Sequence, residues 1–189
     1  MSALLGIFSA FGLSASAGLN AYIPLLVVAL LAKFTNLLHL QKPFDALTSW
    51  WTIGVLIVLC SIEFFADKLP AINHINDIIQ TIIRPAAGAV AFAASANVIT
   101  DLSPVLSIVL GLVIAGGVHA TKALAVRPAV TVATGGAGNI PVSILEDLTS
   151  TAISLLSVIV PVLIICLLIV LTSWVIWLLW RRANKLAQS

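Results

Sequence analysis

Charge is what this chain of 189 residues has least of: nine Lys and Arg, seven Asp and Glu, 8% of the whole, against 61% hydrophobic residues. A soluble domain carries about 25% charged residues, so composition alone excludes a soluble globular protein. The formal net charge of +2 leaves no basic stripe for nucleic acid. Cysteine is nearly missing. Cys60 and Cys166 both lie deep in apolar runs and read as small core residues, not as a disulfide or metal pair. No HExxH, GxSxG or CxxC occurs, and no Gly-Lys-Ser/Thr follows Gly135-Gly136-Ala137-Gly138 to make a phosphate loop. Nothing here asks for a metal or a cofactor, and an enzyme is the least favoured class.

What is present is a series of long apolar runs. A bilayer-crossing helix needs about 20 such residues. The spans expected are Ala3–Ala32, Trp50–Phe65, Pro85–Thr100, Pro104–Ala125, Pro128–Leu145 and Thr151–Trp180. Leu4–Leu13 followed by Ala15-Ser16-Ala17 has the outline of a signal peptide. No Lys or Arg precedes it, however, and the run resumes at Ala21, so it reads as a first span. With six spans and both termini inside, seven Lys and Arg (Lys68, Arg84, Lys122, Arg127, Arg181, Arg182, Lys185) face the cytoplasm against Lys33 and Lys42 outside. Five spans give a split of five to four, so the positive-inside rule favours six. Trp50 and Trp51 would anchor the outer interface, and Trp174, Trp177 and Trp180 the inner one. Residues 1–182 form one transmembrane domain and 183–189 a cytoplasmic tail. Between Leu69 and Ile83 the isoleucines repeat at helical spacing opposite Asn73, Asn76, Asp77 and Gln80, the pattern of an amphipathic helix on the inner surface; His74 falls near its polar side.

Two stretches resemble each other. Asp67-Lys68 leads to Arg84-Pro85-Ala86 and a small-residue helix ending in Asn97; Thr121-Lys122 leads to Arg127-Pro128-Ala129 and a small-residue run ending in Asn139. The first span closes likewise at Asn20. Three helical hairpins in parallel repetition follow, residues 1–68, 84–122 and 127–182, with small residues allowing close helix contacts and Asn bonding across them. Asn20 precedes Pro24 by four residues, and Pro24 withdraws a helix hydrogen bond from that carbonyl. Gly135–Gly138, Asn139 and Pro141 predict a second and stronger break. Broken helices at mid-membrane are how many transporters present backbone dipoles to a solute, although Pro and Gly also occur in membrane helices whose neighbours repair the loss.

An ionised side chain in hydrocarbon costs roughly 2.5–3.5 kcal/mol on insertion scales, so each one needs a partner or water. Glu63 and Asp67 share a helix face beside Lys68, and His119, Lys122 and Arg127 lie along one stripe of the fourth span and its exit. One reading is a membrane-embedded ion-pair network of these groups with Arg84. The sharper one makes Glu63 and His119 a proton-handling pair. Glu146-Asp147 would open the last span, where a helix N-terminus favours negative charge.

Gly18-Leu19-Asn20-Ala21-Tyr22-Ile23-Pro24, Glu63-x-x-x-Asp67-Lys68, Arg84-Pro85-x-x-Gly88, His119-x-x-Lys122 and Ser143-x-x-Glu146-Asp147 stand in this order. Together they resemble a family of small bacterial integral membrane proteins known as a domain of unknown function. Members often carry a more polar Asn/Ser/Pro-rich stretch where this chain has Thr-Gly-Gly-Ala-Gly-Asn. The resemblance implies a membrane assignment and supplies no activity. The leading expectation is a transporter or channel for a small solute or ion, possibly proton-coupled, in the bacterial inner membrane. Asn20, Tyr22, Asn97 and Asn139 would line its path, and Glu63, Asp67, His119 and Lys122 would bind or gate. Lys68, Arg84, Arg127, Glu146 and Asp147 would complete the charge network. The alternative is a non-catalytic scaffold whose polar residues are internal staples. A lipid-modifying enzyme using His119 with Glu63 comes third. The lipid bilayer is the partner either way, and a homo-oligomer would enlarge the small enclosure that 189 residues can build.

Overall fold

The computed structural model describes residues 3–68, 70–96 and 102–159. Asn97, Cys166, the three C-terminal tryptophans and Arg181, Arg182 and Lys185 lie outside the described residues. The chain forms helices α1 (Ala3–Leu19), α2 (Tyr22–Phe34), α3 (Trp50–Ala66), α4 (Pro70–Ala96), α5 (Pro104–Thr121), α6 (Arg127–Thr134) and α7 (Asn139–Ile159). A 3-10 turn at Phe44–Thr48 precedes α3, and a π-helical turn at Lys122–Val126 joins α5 to α6. There is no strand among the described residues, and the protein is an all-α bundle. Asn76–Ala96, Pro104–Thr134 and Asn139–Ile159 are each long and apolar enough to cross a membrane, and Gly6–Leu19, Tyr22–Phe34 and Trp50–Ala66 are shorter apolar helices.

The bundle is built inside out. In α4, Ile78 and Ile82 are 72% and 76% exposed, whereas Gln80 and Arg84 on the opposite face are buried. Bulky apolar side chains likewise cover the outside of α3, α5 and α7, while the interior holds Ala, Ser and charged groups. In water this arrangement would waste the hydrophobic driving force. In hydrocarbon it is what helix packing needs, small residues at contacts and polar groups turned inward.

Hydrogen bonds and contacts fix the register. Ser14 Oγ donates to the Gly111 carbonyl at 2.8 Å and Lys122 Nζ to the Leu19 carbonyl at 3.1 Å, so α1 and α5 run parallel. Phe11 packs edge-on against Phe92 and Gly88 meets Ser14, so α4 is antiparallel to α1. Ser16 bonds Ser150 and Ser154, and Gly12 abuts Ser157, so α7 is antiparallel to α1 as well. Phe34 meets Trp50 at one end of the α2–α3 hairpin and the Ala21 amide meets Glu63 at the other. Ser49 caps α3, its hydroxyl accepting from the Thr52 amide at 3.1 Å.

Two boundaries differ from the sequence pattern. The fifth span expected over Pro128–Leu145 is no single helix: α5 continues through the π turn to Thr134, then reverses. Pro128 has no N–H for the Leu124 carbonyl, and the helix passes this defect by widening, the Arg127 amide reaching back to the Lys122 carbonyl. The reversal uses Gly135 and Gly136 at φ of 61° and 90°, a left-handed ending that glycine adopts without strain. Consequently α7 starts at Asn139, and Glu146 and Asp147 stand inside it, not at its N-terminus. The amphipathic stretch is likewise, over 70–83, the first half of α4, continuous through Pro85 with the apolar half.

The closest approach of a glycine to another helix's backbone joins α4 and α5. A Cβ on Gly111 would run into the Gly88 carbonyl oxygen and stand 2.7 Å from the Ala89 Cα, backbone atoms that cannot step aside. Gly111→Leu is therefore expected to cost at least the roughly 1–3 kcal/mol typical of overpacking. Gly117→Leu, six residues along the same helix with nothing within 4 Å of its Cβ, should be silent. Thermal aggregation of the two variants in detergent checks this; equal midpoints would refute the close packing.

Candidate functional site

The chain leaves helical geometry between α1 and α2, and the polar residues gather there. The break frees two backbone ends. At the start of α2, Asn20 Oδ1 accepts from the amides of Tyr22 and Ile23, both at 3.1 Å, as an N-capping side chain does. The Ala21 amide donates to both Glu63 oxygens, at 3.3 and 3.1 Å. At the end of α1, the Leu19 carbonyl accepts from Lys122. Each end of the broken helix thus meets the charge its dipole favours, a carboxylate at the N-terminal end and an ammonium at the C-terminal end.

Glu63 and Lys122 belong to one network in which four carboxylates face four cations. Arg84, fully buried, donates to Glu63 Oε1 from Nη2 at 2.9 Å and from Nε at 3.2 Å, and its Nη2 also reaches Asp67 at 3.4 Å. Asp67 is the hub: its Oδ2 faces Arg84, Lys122 at 3.5 Å and Arg127 at 3.3 Å, while Oδ1 accepts from Asn76 at 2.7 Å. Glu146 Oε2 holds Lys122 and Arg127, each at 2.8 Å. Asp147 pairs with Lys68 at 3.0 Å and accepts from Asn20 Nδ2 at 3.0 Å, closing the loop back to the break. Burying any one of these ions alone would cost several kcal/mol; mutual pairing with added hydrogen bonds offsets that.

His119 takes its state from its neighbours. Arg84 Nη1 can only donate, so His119 Nδ1, 3.2 Å away, accepts. The ring proton then sits on Nε2 and donates to Thr81 Oγ1 at 3.2 Å, and Thr81 in turn donates to the Asp77 carbonyl. A second proton on Nδ1 would face the guanidinium. In this arrangement His119 is neutral.

The structure brings together Asn20, Glu63, Asp67, Lys68, Arg84, His119, Lys122, Arg127, Glu146 and Asp147. Tyr22 adjoins the break and is half-buried against the core. Asn139 is elsewhere: it exchanges hydrogen bonds with Thr131 at the α6–α7 turn. Sequence reasoning passed over two features. Asn76 and Thr81 orient Asp67 and His119, and both belong to a stretch that reads as a surface helix. Ser143, Ser150, Ser154 and Ser157 form a buried stripe on α7 that meets Ser16 and Gly12 of α1. Their spacing of three, four and seven residues was the available signal.

No curated protein and no solved structure matches the chain. The sequence profile of a domain of unknown function, DUF4126, matches residues 7–181, nearly its whole length. The helical, membrane-type protein with a charged network at a broken helix is thus a member of the DUF4126 family.

Proposed function

We propose that the protein moves a small solute or ion across the inner (plasma) membrane, with the α1–α2 break as its site and the charge network as its gate. One observation carries this reading. The two ends of a helix broken inside an apolar bundle are held by side chains of opposite charge from other helices. In transporters such ends bind a solute or coupling ion near mid-membrane. Here Glu63 and Lys122 occupy them, which makes the arrangement a closed state that must yield before anything passes. Protonating Glu63 would weaken its hold on Arg84 and the Ala21 amide together, and this links opening to protons. The test uses proteoliposomes with a trapped pH dye and an imposed potential. Wild type should pass protons, and Glu63→Gln, whose amide can neither take up nor release one, should slow the flux at least tenfold while still eluting as a folded species. Flux that is unchanged in the variant, or absent from wild type, sinks the proposal.

The completeness of the pairing favours a second reading, a non-catalytic membrane scaffold stapled by these charges. On that reading Glu63→Gln lowers thermal stability and no protein-dependent flux exists.

A further inference from the structure

The charge network divides into two parts. Arg84 bridges Glu63 and Asp67, and Lys122 and Arg127 each bridge Asp67 and Glu146, so three carboxylates and three cations close a set of zero net charge. Among the described residues Lys68 and Asp147 stand outside that set as a one-to-one pair, joined to the helix break through Asn20. They are also the outermost members. Their side chains are 15% and 12% exposed, against 10% or less for the other six. Lys68 can therefore leave Asp147 without stranding a charge among those six.

The groups that Lys68 would leave behind are a matched set. Its Nζ lies 3.0 Å from Asp147 Oδ2, 3.0 Å from the Phe64 carbonyl oxygen and 3.2 Å from the centre of the Phe64 ring. That carbonyl is open because α3 ends here: the Lys68 amide turns to the Phe65 carbonyl, and the last carbonyls of a helix lack helical donors. A carboxylate, a carbonyl at a helix C-terminus and an aromatic face all attract positive charge. The shell suits an ammonium in particular, whose three N–H groups meet two oxygens and a π face. Calcium or magnesium asks for about six oxygens, and this shell offers two and a ring. We propose that Asp147 and Phe64 form a binding site for a small primary ammonium ion, the Lys68 ammonium being a tethered stand-in that such a ligand displaces. Asn20 donates to Asp147 and caps α2, so occupancy of the site reaches the helix break. The site goes beyond the transport reading and is tested by binding alone.

The test is the thermal midpoint of the full chain in detergent, titrated with methylammonium chloride against sodium chloride and tetramethylammonium chloride at equal ionic strength. Methylammonium should raise the wild-type midpoint and saturate. Sodium, and tetramethylammonium, which has no N–H, should not. Lys68→Ala removes the competing tether, so the half-saturating concentration should fall about tenfold. Lys68→Ala with Asp147→Asn should respond to none of the three salts. Should Lys68→Ala fail to fold, Phe64→Leu is read in its place. Phe64 is 40% exposed, so its ring can be lost without opening the core, and half-saturation should rise about threefold. A wild-type midpoint that methylammonium leaves unchanged overturns the proposal, because Lys68 is then a staple. Equal responses to all three salts overturn it too, as do a response that survives loss of the Asp147 carboxylate and equal half-saturation in wild type and Lys68→Ala.

Discussion

Arg84→Met is expected to destabilise the bundle by roughly 3–5 kcal/mol, the cost of breaking a buried ion pair by removing one partner. Arg84 is fully buried and serves Glu63, Asp67 and His119 at once. Without it the Glu63 carboxylate keeps only the Ala21 amide, and the charge at the helix break is left unbalanced in the buried interior. Domains commonly hold only 5–15 kcal/mol in all, so the variant should lose a large share of its folded population. Arg84→Lys should recover little, because an ammonium cannot spread across two carboxylates and an imidazole as the guanidinium fork does. Arg84→Met combined with Glu63→Gln should recover about half of the loss, since the amide oxygen still accepts from Ala21 and no charge is stranded. The temperature at which half of the detergent-solubilised protein stops eluting as a single species reads all three. A wild-type midpoint for Arg84→Met would mean that water, not Arg84, neutralises Glu63.

The ionised groups were legible in the sequence because each is expensive in hydrocarbon and cannot go unexplained. Glu63, Asp67 and Arg84 announce themselves by cost. Which of them meet is another matter, set by helix register. Glu146 and Asp147 show the gap: beside the expected start of a helix they read as capping residues, and only the reversal at Gly135–Gly136 carries them into the interior opposite Lys122 and Lys68. That reversal was visible as a glycine cluster, but not its consequence, because a glycine run marks a break without giving the direction in which the chain leaves. The helix passing Pro128 by a π turn was hidden for a similar reason. A proline marks a lost hydrogen bond, and the repair depends on the neighbouring turn.

The serine stripe escaped for the opposite reason. A serine in a helix can satisfy itself on its own backbone and costs little, so nothing in the sequence demands a partner for Ser150 or Ser154. Their role appears only when α1 lies antiparallel beside them. Most hidden of all is the Ala21 amide. It is a backbone group, freed by the break at Asn20, and it turns Glu63 from one more buried acid into the group that holds a helix terminus.

Asp67→Asn isolates charge from shape. The amide can turn its oxygen to the three cations and its nitrogen to Asn76, whose own amide rotates to accept, so every hydrogen-bonding position stays filled. What is lost is one negative charge facing Arg84, Lys122 and Arg127, and the network gains a net positive charge in a low-dielectric interior. The expected loss is again about 3–5 kcal/mol. Its rescue has a pattern that the geometry dictates. Glu146 binds both Lys122 and Arg127, so removing either charge still leaves Glu146 a partner; Glu63 depends on Arg84. Asp67→Asn with Arg127→Gln, or with Lys122→Gln, should therefore regain most of the midpoint. Asp67→Asn with Arg84→Gln should fall below either single variant, since it strands Glu63. Equal rescue by all three would show a diffuse pool of charge, and the hub at Asp67 would be wrong.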